Sequence, residues 1–265
     1  MSYEAIRNYI NHKSVNGYSL GEMFGTENFA LFLNSLLRMQ RPWVVVELGT
    51  GAAVTALMAA EALQHNQQGH IWTVDDGSHW DVGNMRVCCQ GALDYEDENE
   101  THANFINRLI NQHDLAKYIT LVTFSMQDDQ FFCPDSKKID ILFADATSSS
   151  AKGCANILRY YLPKMEDYSS IFIDRASTIH HSLLFLENVV EQLNRGRIPM
   201  DLLTGLGEED RSKMRQLVDR SSFSIMHLTE TRAARASNPK QNSRAWIRIE
   251  PNDYLHHNDV ITYGF

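Results

Sequence analysis

The chain has 265 residues, 43% of them hydrophobic and 22% charged, a balance that excludes global disorder and supplies enough apolar material for one α/β-sized domain. A formal charge of −9 opposes binding along a phosphate backbone, so a small-molecule partner is expected and a nucleic acid is not. Four cysteines, Cys88, Cys89, Cys133 and Cys154, show neither a dense disulfide framework nor Cys-x-x-Cys metal spacing, which predicts reduced thiols and a cytoplasmic setting.

The first residues lack a basic stretch followed by an apolar core, so no secretory signal is expected. Tyr3, Ile6, Tyr9 and Ile10 share one helical face, and residues 1–28 are expected to form an N-terminal flap or a subunit contact in a homo-oligomer. Phe29 to Met39 has apolar residues at helical spacing, and Pro42 marks its stop. Trp43-Val-Val-Val-Glu47-Leu then reads as a strand covered on both faces. Gly49 and Gly51 follow it, where positive φ and close approach of a ligand to the backbone are possible. Ala52 to Leu63 is a run of small, strong helix formers. The low-charge window from Trp43 to Ala60 is therefore strand, turn and helix, and no membrane association is expected.

Gly69-His-Ile-Trp-Thr-Val-Asp75-Asp76 is a second strand ending in acids. Residues 77–98 interrupt the strand-helix rhythm and are expected to be a substrate-loop insertion carrying His79 and Trp80. The acidic run from Asp94 to Glu100 reads as a solvated lead into a helix ending near Leu115, and Tyr118 to Phe124 is a third strand. Ile139 to Asp145 and Tyr168 to Asp174 are a fourth and fifth strand, each ending in an acid. They alternate with helices at Ala151–Met165 and Leu183–Leu193. A charged surface helix at Glu208–Asp219 precedes Phe223–Thr229 and Ala245–Glu250, two strands with no helix between them and therefore an antiparallel pair. Arg232, Arg235, Lys240 and Arg244 between them read as a basic surface loop. The whole is an α/β fold, a mostly parallel sheet of about seven strands with helices on both faces, in a single domain spanning 1–265.

In such a sheet, ligands bind beyond the strands' carboxyl ends, which makes Glu47, Asp75, Asp145 and Asp174 the candidate site acids. Val54 stands where a dinucleotide fingerprint needs its third glycine, and no Gly-Lys-Ser/Thr is present for a P-loop. Glu47-Leu-Gly49-Thr50-Gly51 resembles the first motif of the class I S-adenosylmethionine-dependent methyltransferases, which have a Rossmann-like fold ending in an antiparallel pair. That resemblance implies S-adenosylmethionine as cofactor, with Glu47, Gly49, Thr50 and Gly51 near its amino acid half. It puts Asp75 on the ribose, with Asp76 as the runner-up because a one-residue slip reverses a strand's faces. Ser125 and Met126 would flank the adenine.

Phe143-Ala-Asp145-Ala and Ile173-Asp174-Arg175 resemble the strand-end segments of the catechol-O-methyltransferase-like group, where such residues bind a divalent metal such as Mg²⁺. Arg175 breaks that pattern, because arginine ligates no cation, and it leaves the metal unassigned. His180 and His181 after the fifth strand are candidate general bases. The expected activity is methyl transfer to an oxygen, or a nitrogen, of a small-molecule acceptor. The alternatives are an inactive methyltransferase-like binding or scaffold protein and an aminopropyltransferase of the same fold.

Overall fold

The computed structural model describes residues 3–13, 19–20, 27–82, 85–126, 131–134, 138–145, 150–176, 179–229 and 243–252. Seven strands form one mixed sheet, in the order β3-β2-β1-β4-β5-β7-β6. They are β1 (Val44–Leu48), β2 (His70–Asp75), β3 (Ile119–Thr123), β4 (Ile139–Ala144), β5 (Met165–Asp174), β6 (Ser221–Thr229) and β7 (Ser243–Pro251). The mostly parallel sheet with an antiparallel end, expected from the alternation of strands and helices, is the one observed. The chain divides into two compact units, residues 1–135 with 229–242 and residues 136–228 with 243–265.

In the first unit, β1 is buried at every position and pairs in parallel with β2, Val44 opposite His70 and Leu48 opposite Val74. Full burial of each Val or Leu in that strand contributes about 1.5–3 kcal/mol, which fixes β1 at the centre of its layer. Helices α1 (Tyr3–Asn11), α2 (Glu27–Gln40) and α3 (Val54–Asn66) belong to this unit. From Val54 to Leu63 every residue of α3 is buried, as a helix covered on all sides must be. Its one acid in that stretch, Glu61, is held by Arg38 at 2.6 Å and by the Asn34 amide at 2.6 Å, both from α2. The N-terminal helix packs down: Ile6, Tyr9 and Ile10 are buried, and the Tyr9 hydroxyl donates to the Ala52 carbonyl at 2.9 Å.

Residues 77–98 are not one continuous loop. Turns at 78–81 lead to α4 (Met85–Gly91), where Met85, Cys88 and Cys89 recur at helical spacing and are buried together. Next comes α5 (His102–Gln112), capped by the Thr101 hydroxyl, which accepts from the Asn104 amide. Glu100 departs from the expected solvated run. It is buried, because Arg108 reaches back from α5 and donates to both carboxylate oxygens, at 3.0 and 2.9 Å, while Gln90 donates at 2.9 Å.

In the second unit, β4 and β5 pair in parallel and β7 lies antiparallel to β5, with Phe172 opposite Trp246. Those two rings stack at 5.2 Å. Helix α6 (Ala151–Tyr161) starts on a Ser150 cap and ends in a 3-10 turn, Leu162–Lys164. Helix α7 (His180–Asn194), the single turn α8 (Met200–Leu203) and α9 (Glu208–Arg220) complete the unit. Arg232, Arg235 and Lys240 lie outside the described residues. Arg244 does not sit in a surface loop: it is on β7, 1% exposed, because its charge meets a buried acid on β5. Among the described residues, no helix is long and apolar enough to cross a membrane.

Candidate functional site

The end of β1 is built around a buried acid. Glu47 is 1% exposed and accepts from the Thr73 hydroxyl at 2.5 Å, and Thr73 is 2.6 Å from the Thr50 hydroxyl. Two neighbouring strands therefore fix the turn through one polar relay. Gly49 (φ 99) donates its N–H to the Val74 carbonyl at 2.8 Å, and Gly51 (φ 50) continues the left-handed backbone that a β-carbon disfavours.

At the end of β2 the Asp75 carboxylate is locked in place. One oxygen accepts from the Gly51 N–H at 3.0 Å and the other from the Gly77 N–H at 2.8 Å. Each carboxylate oxygen keeps a further lone pair for a ligand. Asp76 is exposed and accepts from the Ser78 N–H at 2.9 Å and the Ser125 hydroxyl at 3.0 Å. Bonds from Ser78 hold the Asp76 carboxyl below the usual carboxylate range, so it stays ionised. Ser125 thus meets Asp76 as a neighbour, while Met126 is half-buried.

His102 escaped sequence reasoning. From the first turn of α5 its Nε2 lies 2.8 Å from the Gly51 carbonyl. A carbonyl only accepts, so that nitrogen carries the proton. His102 therefore grips the carbonyl of the glycine whose N–H holds Asp75. Nothing in the local sequence marks it. Thr73 did leave a signal, as a hydroxyl at the buried centre of an apolar strand.

A cavity of about 360 Å³ opens beside Asp75, Asp76 and Gly77, with Trp80, Thr101 and His102 among its other walls. That volume falls in the range of small-ligand sites. Trp80 is buried, donates its ring N–H to the Glu100 carbonyl at 2.7 Å and packs on Phe105 at 4.9 Å, so this wall is rigid. Asp81 and Glu98 add negative charge to the lining, and Arg86 is a cation within it. Cys89 has its thiol pushed up to about 12 by burial, so it is protonated at neutral pH.

In the second unit, Asp174 at the end of β5 is 1% exposed and Asp145 follows β4. The Arg175 Nε is 3.2 Å from Asp174 Oδ2, and its Nη2 is 3.8 Å from Asp145 Oδ1. The Arg244 Nε stands 3.0 Å from Asp174 Oδ1, an ion contact whose angles fall outside hydrogen-bond geometry. Burial first, and then the like charge of Asp145, push the Asp174 carboxyl well above the usual range, with Arg244 and Arg175 opposing. The donor set does not fit a divalent cation: two guanidiniums, with no lone pair to offer, already face the two carboxylates. Among the described residues, no group of three His, Cys, Asp or Glu side chains is arranged to hold a metal. His180 and His181 occupy the first turn of α7, exposed, with their rings 6.0 Å apart.

No family model matches the sequence, and no curated protein matches it. Among solved structures, the chain is similar to the O-methyltransferase TomG from Streptomyces achromogenes, which is involved in tomaymycin synthesis and was determined in complex with SAM. The identity is 10%, with 94% of this chain and 91% of that one covered and a TM-score of 0.47. It is also similar to the O-methyltransferase from Bacillus cereus in complex with SAH, at 11% identity over 84% of this chain and 80% of that one, with a TM-score of 0.43. At such identities no residue role passes from one chain to another.

Proposed function

We propose that the chain is an S-adenosylmethionine-dependent methyltransferase acting on a small-molecule acceptor, with an oxygen favoured over a nitrogen. The observation that carries this reading is the Asp75 carboxylate, fixed by the N–H groups of Gly51 and Gly77 at the mouth of a nucleoside-sized cavity. An acid held so rigidly suits a ribose diol, because its orientation is set before the ligand arrives and its remaining lone pairs accept two hydroxyls. Asp76, ionised and beside Ser125, adds a second acceptor on the same rim.

The lack of a third glycine and of a P-loop lysine argues against a pyrophosphate or triphosphate ligand, and the acidic lining supports a cationic one. A sulfonium nucleoside has that charge. Glu47 contributes from behind the turn: through Thr73 it holds Thr50, and so sets the backbone amides that would meet the cofactor's amino acid half. The sulfonium methyl is intrinsically reactive, so the protein's task is in-line positioning of the acceptor and removal of its proton. Asp145, His180 and His181 are the candidates for that proton, whereas Asp174, buried and faced by Arg175 and Arg244, is not.

Calorimetry with S-adenosylmethionine and S-adenosylhomocysteine tests the reading. Both are expected to bind the wild-type chain. Asp75→Ala is expected to weaken binding about tenfold to a hundredfold, the loss of about 1.5–3 kcal/mol that a charged hydrogen-bond acceptor contributes. Absence of binding to the wild type would overturn the cofactor, and unchanged affinity in the variant would remove Asp75 from the site.

A further inference from the structure

Two acids brought together at adjacent strand ends would ordinarily attract a hard cation, because oxygen donors are what Mg²⁺ and Mn²⁺ coordinate. In this chain that attraction is already answered. The Arg175 guanidinium bridges the pair, 3.2 Å from Asp174 Oδ2 and 3.8 Å from Asp145 Oδ1, and Arg244 closes on the far oxygen of Asp174 at 3.0 Å. We infer that Arg175 is a built-in cation standing in the place of a divalent metal between Asp145 and Asp174, and that it closes this pair to Mg²⁺ and Mn²⁺.

Three features make the arrangement fixed. A guanidinium keeps its charge at any physiological pH, so it does not yield its place by deprotonation. The backbone at Arg175 is left-handed, φ 61, a strained conformation for a residue bearing a β-carbon. Its N–H is anchored to the Ser243 carbonyl at 2.6 Å, which ties the turn after β5 to the first residue of β7 and sets the adjacent Arg244 against Asp174. A dication entering here would meet two positive charges and would gain, among the described residues, two carboxylates, of which Asp174 is fully buried and already engaged.

One consequence for the acceptor rests on the methyl-transfer reading. Without a metal to chelate, the acceptor need not present two adjacent oxygens, and a single oxygen or nitrogen suffices.

The test is Mn²⁺ titration of the full chain, followed by electron paramagnetic resonance of the free ion, with Mg²⁺ as competitor. The wild type is expected to show no site at this pair. Arg175→Asn removes the charge, supplies an amide oxygen and tolerates the left-handed backbone. It is expected to gain one Mn²⁺ site at least about tenfold tighter than any in the wild type, displaced by Mg²⁺ and lost again in Asp145→Asn/Arg175→Asn. Arg175→Gly, which accepts the same φ, is the second variant should the first not fold. A wild-type Mn²⁺ site abolished by Asp145→Asn would overturn the proposal, and so would failure of both folded Arg175 variants to gain one. Cofactor calorimetry on the same samples is a separate readout, so loss of the methyltransferase reading would leave the metal result standing.

Discussion

At the scale of single residues, His113 carries the clearest pH consequence. It caps the end of α5, is buried, and neither ring nitrogen has a hydrogen-bond partner among the described residues. Burial, the first cause, lowers its pKa from the ordinary imidazole value. The folded chain therefore holds His113 neutral, while the unfolded chain takes up a proton below about pH 6.5. Stability contributed by the neutral ring is present above that pH and is lost as pH falls toward the folded pKa. Thermal midpoints at pH 7.5 and 5.5 are expected to show a larger acid-induced drop in the wild type than in His113→Leu; equal drops would clear His113. At this scale the sequence was legible only in part. Asp75, Asp76 and Ser125 are found at the expected strand ends, because a strand's alternation and its exit are local properties. Arg244 and Glu100 were misread as solvated, because a charge's burial depends on a partner remote in sequence, Asp174 for one and Arg108 for the other.

At the scale of elements, the entry to β2 is held by a close backbone approach. Gly69 has φ 84, and a β-carbon there would lie 2.2 Å from the Pro42 carbonyl oxygen and 2.9 Å from Leu63 Cδ2. The neighbouring His70 N–H donates to the Trp43 carbonyl at 2.9 Å, so this approach also sets the register of β2 against β1. Gly69→Ala combines left-handed strain of about 1–2 kcal/mol with overpacking of about 1–3 kcal/mol, an expected loss of about 2–5 kcal/mol in urea unfolding. A loss under about 0.5 kcal/mol, the range of a neutral surface change, would show that the turn rearranges freely. Most elements were readable because their periodicity is strong: β1 is an unbroken apolar run and α3 an unbroken run of helix formers. Helix α4 was less so. Its seven residues carry just two turns of pattern, and its buried Met85, Cys88 and Cys89 are too few to set a helical period apart from a loop.

At the scale of the whole molecule, the last described strand is not the last in the sheet. β7 lies between β5 and β6, so the chain lays down β5, leaves a space through β6 and fills it from residue 243 onward. Alternation without an intervening helix predicted that β6 and β7 are neighbours. That β7 would also pair with β5 is a long-range choice that no local pattern records, with Ser169 opposite Ile249 across the sequence. Closing so long a loop costs entropy that only the finished contacts repay. Those contacts are concentrated in Trp246, Ile247 and Ile249, all buried, with Trp246 stacked on Phe172. Each contributes about 1.5–3 kcal/mol by burial, together comparable to the net stability of about 5–15 kcal/mol that a folded protein retains. A chain ending at residue 242 would leave β5 with an unpaired edge and Phe172 uncovered, and the second unit is expected to lose its cooperative urea transition. Near-ultraviolet circular dichroism of Trp246→Phe, which keeps an aromatic ring over Phe172, is expected to retain a folded signal where the truncated chain does not. A truncated chain that unfolds with the full-length midpoint would show instead that the unit is complete before β7 arrives.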